Sequence, residues 1–238
     1  MILEYDGTSY HGWQRQENSL SIQQVVEEAL EKLTREKIGV IAAGRTDTGV
    51  HARKQVIHFR LRGELPTNKV RMGLNAYLPG DIVVKKAEEV PEKFNARFDA
   101  RKRTYHYYLL FEPTAIYRNF CWQVYYRLNR EVLAQLAEQL IGEHDFAAFS
   151  RVNIEAKNKI CRVYESRWFR EGDFFVYRIV ANRFLHGMVR SIVGTMVDVA
   201  RGRFTVEQFQ HIFQSKDRRL AGTAAPPQGL FLQEIQYS

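Results

Sequence analysis

The strongest constraint on this chain is the order in which its apolar periodicity switches. Residues 2–5 (Ile-Leu-Glu-Tyr) are short and extended, and the turn Asp6-Gly7-Thr8 follows. From residue 22 the pattern is helical, with Ile22, Val25, Val26, Ala29, Leu30 and Leu33 on one face of a 3.6-residue period. Ser21 with Gln24 three residues on predicts a capping box at the start of that helix. Residues 38–43 and 54–61 read as strands around a polar loop. Residues 68–77 read as a helix stopped by Leu78-Pro79-Gly80, and 81–90 as a strand ending at Pro91. The order is strand, helix, strand, strand, helix, strand.

The second half follows a similar rhythm without a repeat in sequence. Residues 103–111 form a strand with Tyr105, Tyr107 and Leu109 on one face and His106, Tyr108 and Leu110 on the other. Val132, Leu133, Leu136 and Leu140 mark a helix. Residues 159–170 and 173–181 read as a hairpin turning at Glu171-Gly172. Residues 185–200 form a strongly apolar helix, 206–213 a shorter one, and 230–237 a closing strand. The predicted class is α+β: two βαββαβ-like, ferredoxin- or RRM-like halves sharing a mostly antiparallel sheet. The expected boundary near 100–104 divides the chain into an N-terminal half, 1–101, and a C-terminal half, 102–238.

Composition narrows the class of function. With 45% apolar and 26% charged residues, the chain of 238 can bury a core, which a disordered chain cannot. No stretch reaches the ~18 uncharged apolar residues of a membrane span, since the longest apolar helix carries Arg190. The segment MILEYDGTSY has no basic stretch followed by an apolar one, so no secretory leader and a cytoplasmic location are expected. Two cysteines, Cys121 and Cys161, are too few for a disulfide framework or a zinc site. Net charge is +8, unevenly placed: residues 1–101 hold 16 basic and 14 acidic side chains, and residues 102–238 hold 19 and 13. A basic second half fits a phosphate-bearing partner.

Four segments are candidates for chemistry. The loop Gly44-Arg45-Thr46-Asp47-Thr48-Gly49-Val50-His51-Ala52 sets one carboxylate between an arginine and a histidine. A carboxylate beside a guanidinium stays ionised, as a nucleophile must. The plainer alternative is a hairpin loop in which Asp47 caps its own backbone. Arg101-Lys102-Arg103-Thr104-Tyr105-His106-Tyr107-Tyr108 interleaves cations and aromatics, suited to phosphates and bases, or else is a half-buried strand whose tyrosines pack the core. In 182–190, Arg190 lies among Met188, Val189, Ile192 and Val193, and is either an arginine snorkelling at a helix surface or a buried guanidinium, which needs an anion. Asp198 is the local choice, and Asp47 a distant one. Residues 5–16, YDGTSYHGWQRQ, form either a ligand loop or a turn anchored by Trp13. HExxH, Cys-x-x-Cys, zinc-deaminase and GxGxxG patterns are absent, so neither metal nor dinucleotide is indicated.

Taken together, YDGTSYHGWQRQ, GRTDTGVHA, ARFDARKRTYHY, NRFLHGMVRSIVG and AGTAAPPQGLFL resemble, in order and over essentially the whole chain, the TruA family of tRNA pseudouridine synthases. GRTDTGVHA is the most specific of the five. The resemblance implies a pseudouridine synthase fold and isomerisation of uridine to pseudouridine at tRNA positions 38, 39 and 40, in the anticodon stem-loop. It implies Asp47 as the catalytic aspartate, Tyr105 as the tyrosine packed on the target base, Arg190 as the aspartate's partner and Arg45 as an aid to displacing the base. It also implies a homodimer without metal or organic cofactor, with the catalytic loop in the first half and a cleft completed by the second. The competing reading is a non-catalytic RNA-binding protein with two RRM-like halves. Against it, the aromatic signature of that module is missing and Asp47 would have no purpose.

Overall fold

The computed structural model describes residues 1–151 and 158–238. In chain order the elements are β1 (Ile2–Tyr5), α1 (Ile22–Thr34), β2 (Ile41–Ala42), β3 (His51–His58), α2 (Thr67–Tyr77), β4 (Ile82–Lys86) and β5 (Lys102–Leu110). These are followed by β6 (Trp122–Gln123), α3 (Arg130–Glu138), β7 (Gly142–Asp145), β8 (Ile160–Glu171), β9 (Phe174–Ala181), α4 (Met188–Ala200), α5 (Val206–Ser215) and β10 (Leu230–Gln236). The class is α+β. Two compact units are present: Met1–Arg101 with Phe231–Ser238, and Lys102–Leu230. The closing strand, read from sequence as the end of the second half, pairs in parallel with β3 through Phe231 and Leu232. Assigning residues 231–238 to the first unit moves Glu234 with them, and the second unit becomes the more basic by a wider margin.

In the first unit the strand order is β4-β1-β3-β10, with β1 antiparallel to both β3 and β4. Helix α1 buries Ile22, Val26, Ala29 and Leu30, of which Ile22, Val26 and Leu30 are each worth about 1.5–3 kcal/mol of transfer free energy when fully covered. It lies close to α2 at Gly73, where a Cβ would stand 2.5 Å from Leu33 Cδ1. Only half of the expected capping box forms. Ser21 Oγ accepts the Gln24 N–H at 3.3 Å, but the Gln24 amide turns away to Glu28 Oε1 at 2.9 Å. The strand expected over 38–43 shortens to Ile41–Ala42, because side chains of α1 take the backbone groups next to it. The Val40 N–H donates to Glu27 Oε1 at 3.1 Å, and its carbonyl accepts from Gln23 Nε2 at 3.5 Å.

In the second unit the order is β5-β9-β8-β7, all antiparallel, with β6 added in parallel to β5. The β8–β9 hairpin turns at Gly172, as the sequence predicts. Every residue of β5 from Thr104 to Leu110 is buried, so the basic-aromatic segment is a core strand whose cations stand at its entrance. Both cysteines are buried, and burial pushes each thiol up to about 11. Helix α5 starts at a full capping box between Thr205 and Gln208. Among the described residues no helix is long and apolar enough to cross a membrane.

Candidate active site

In the first unit, two motifs that are distant in sequence fold against one another. The 44–50 loop is held at several backbone points by the 5–13 strap. The Trp13 N–H donates to the Thr46 carbonyl at 3.0 Å, the Gly49 N–H to the Tyr10 carbonyl at 3.3 Å, and the Val50 N–H closes a turn on the Asp47 carbonyl at 3.1 Å. The approach is close enough to require glycine. A Cβ on Gly7 would stand 2.1 Å from the Val50 oxygen, and Gly12, at φ +85°, would bring one within 2.7 Å of the Thr46 oxygen. Below the loop, the Tyr5 hydroxyl and Thr46 Oγ1 share a hydrogen bond of 2.8 Å, while Gln55 Nε2 donates to the Gly44 carbonyl at 2.8 Å. Burial pushes the Tyr5 phenol up to about 12, against the smaller opposing effect of its bonds to Thr46 and Gln55, so it stays protonated. The anchored-turn alternative for Trp13 also holds, since its ring is buried 6.1 Å from that of Tyr5.

On this braced loop Asp47 is half-buried and Arg45 is exposed. His51 opens β3 beneath it, almost fully buried, its ring stacked on Phe231 with centroids 4.6 Å apart. Its Nδ1 faces the turn of residues 6–8: the Gly7 N–H lies at 3.1 Å and Asp6 Oδ1 also at 3.1 Å.

In the second unit the equivalent feature is a helix strapped by a tail. Twelve of the thirteen residues of α4 are buried, and Arg190 is the exception. Its Nε donates to the Ala225 carbonyl at 2.7 Å, and the Ala225 N–H returns to the Arg190 carbonyl at 2.9 Å. Gly194 admits this tail, because a Cβ there would stand 1.9 Å from the Thr223 oxygen. The Tyr107 hydroxyl donates to the Pro226 carbonyl at 2.7 Å. Burial raises its phenol well above the ordinary range, and the Arg190 charge pulls the other way. Asp198, the local candidate to pair with Arg190, is taken by Arg201 at 2.6 Å and lies 3.7 Å from Arg203. Tyr105 is buried at 7% exposure, with Phe184 edge-on at 5.0 Å. Thus YDGTSYHGWQRQ and GRTDTGVHA lie in the first unit and NRFLHGMVRSIVG in the second, while ARFDARKRTYHY and AGTAAPPQGLFL run across the unit boundaries after Arg101 and Leu230. Sequence reasoning did not single out Gln55, Tyr107 or Ala225 as parts of these supports. The signal that was available for Ala225 was the tail motif itself.

A family model described as tRNA pseudouridine synthase matches residues 1–99 and 136–238. The chain belongs to the tRNA pseudouridine synthase family. As a member it is an isomerase that converts uridine to pseudouridine, with tRNA as its substrate. The matched spans contain Asp47 and Arg190. The interval between them contains β5 with Tyr105. Full-length relatives bridge that interval. The tRNA pseudouridine synthase A of Thermoanaerobacter sp. strain X514 is 43% identical over 240 residues, covering all of this chain and 98% of its own. That of Caldicellulosiruptor bescii is 41% identical over 239 residues, covering 100% and 98%. That of Pseudoalteromonas atlantica is 42% identical, covering 99% and 90%. A solved chain from a Cbf5–Nop10–Gar1 complex overlaps at a TM-score of 0.40 and 12% identity, over 84% of this chain and 44% of that one, and bears no weight on the chemistry.

Proposed function

We propose that the enzyme acts in the cytoplasm on the anticodon stem-loop of tRNA, at uridines 38 to 40, with Asp47 as nucleophile and with neither metal nor organic cofactor. The observation that carries this reading is the position of Asp47. It is the one carboxylate of the GRTDTGVHA loop, it is half-buried, and its backbone is braced by the 5–13 strap. Preorganised placement of a reacting group removes orientational entropy from the barrier.

The chemistry asks for such a group. The N1–C1′ bond breaks and a C5–C1′ bond forms. The C5 proton leaves and N1 takes one up, so atoms balance and nothing is oxidised. A carboxylate can hold the intermediate covalently at C1′ of the ribose or at C6 of the base. Arg190 is assigned the role of keeping Asp47 ionised and aimed, Tyr105 that of packing on the uracil, and Arg45 that of helping to displace the base from its stack. Everting a stacked nucleotide costs a few kcal/mol, and contacts between a basic surface and phosphates offset that cost in a salt-dependent way. A homodimer, which the family resemblance implies, completes the reading.

The test uses tRNA labelled with tritium at uracil C5. Wild type is expected to release label, and Asp47→Asn to release none while binding tRNA at near wild-type affinity. Release at a near wild-type rate from Asp47→Asn removes Asp47 from the mechanism. Mapping the modified positions in the same tRNA checks the 38–40 assignment.

A further inference from the structure

His51 is a buried side chain that the mechanism leaves unused. Its Nδ1 has two neighbours at the same distance, the Gly7 N–H and Asp6 Oδ1, each at 3.1 Å. One ring nitrogen cannot accept from the first and donate to the second at once. Asp6 Oδ1 is already served within its own turn, by the Thr8 N–H at 2.9 Å and the Thr8 hydroxyl at 2.5 Å. Gly7 is buried, and a buried N–H without an acceptor is costly. The arrangement is therefore satisfied when Nδ1 is the acceptor. Gly7 is also the residue whose Cα rests on the Val50 carbonyl, so this single bond fastens the start of the strap to the end of the Asp47 loop. From there the Tyr10 N–H reaches the Gly7 carbonyl at 3.0 Å and the Tyr10 carbonyl receives the Gly49 N–H.

We propose that His51 is a positioning residue for the isomerisation: its Nδ1 accepts the Gly7 N–H, locks the 6–13 strap onto the 44–50 loop, and so fixes the backbone from which Asp47 projects. The inference rests on the reading of Asp47 as nucleophile. Three variants separate acceptor position from mere packing. Asn carries an acceptor as far from its backbone as Nδ1, Gln carries it one bond further out, and Leu carries none. His51→Asn is expected to keep kcat within about threefold of wild type. His51→Gln and His51→Leu should lose about tenfold to a hundredfold in kcat, the range of a misplaced reacting group, with KM for tRNA within about twofold. Hydrogen exchange gives a readout independent of activity: the Gly7 amide should be protected in wild type and His51→Asn and exposed in the other two.

Equal kcat in all three variants, or losses confined to KM, overturn the inference. Should His51→Gln and His51→Leu fail to fold, His51→Asn decides alone. A tenfold loss of kcat in that variant, or a wild-type Gly7 amide exchanging at the rate of an unstructured peptide, overturns it. If instead Asp47→Asn stays active, the nucleophile reading falls while the exchange data still report on the lock.

Discussion

The two units support their key side chains by different means. In the first, the strap grips the backbone of the 44–50 loop, and Asp47 gains its place because the peptide groups around it are pinned. In the second, the tail grips side chains directly, through Arg190 Nε on Ala225 and the Tyr107 hydroxyl on Pro226. A backbone grip leaves a carboxylate oxygen available to attack. A side-chain grip suits a cation that must hold its charge in one place while keeping other N–H donors for an anion. The same device, a glycine-admitted strap, thus supports the proposed nucleophile in one unit and the proposed orienting cation in the other.

The largest expected effect comes from closing either strap's path. Gly194→Ala sets a methyl 1.9 Å from the Thr223 oxygen and Gly7→Ala sets one 2.1 Å from the Val50 oxygen. Neither obstacle is the flexible end of a side chain, so each should cost about 3 kcal/mol, at the upper end for overpacking. Urea denaturation checks both. A loss below about 1 kcal/mol at either site would mean that its strap yields and that the comparison with the other unit fails.

A middle-sized effect sharpens the side-chain half of the comparison. Tyr107→Phe removes the hydroxyl that binds the Pro226 carbonyl and leaves the ring, for an expected loss of about 1 kcal/mol. Its kcat should fall less than that of Arg190→Ala, which removes the guanidinium itself. Equal losses of kcat would assign the tail, and not the cation, the dominant role.

The smallest effect concerns pH. Burial raises the Glu165 carboxyl, but hydrogen bonds from Arg167 at 2.6 Å and Arg178 at 3.0 Å outweigh this, and its net position is below the ordinary range. A depressed folded value means that this stability is present above the unfolded value near 4.5 and is lost as pH falls through the lower folded one. Because the partners are part-exposed, the expected contribution is under about 1 kcal/mol. Urea midpoints followed from pH 6 down to pH 3 should show a shallower fall in Glu165→Gln than in wild type. Parallel curves would leave this ion-pair network without a role in acid sensitivity.

Much of the fold was legible because it rests on local periodicity. The faces of α1 and α4, the β8–β9 hairpin and the break at 78–80 all follow from residues near one another in the chain. What periodicity could not supply was competition for backbone groups. Glu27 and Gln23 shorten β2, and Gln24 abandons its capping box for Glu28. The candidate residues Asp47, Arg190, Tyr105 and Arg45 came from ordered motifs. The motifs also hold most of their supports, the 5–13 strap and the 223–226 tail, but not which group meets which, because such a contact joins residues distant in sequence.

By itself the sequence determined the α+β class, the basic second half, and the loop that carries Asp47. Amphipathic spacing, charge and short motifs are properties of neighbouring residues. Only the tertiary structure decided that β10 joins the first unit beside β3, that Asp198 belongs to Arg201, and that His51 turns its Nδ1 to Gly7. These are choices among partners of similar chemistry, and the folded backbone makes them by bringing one within 3 Å or so and leaving the others out of reach.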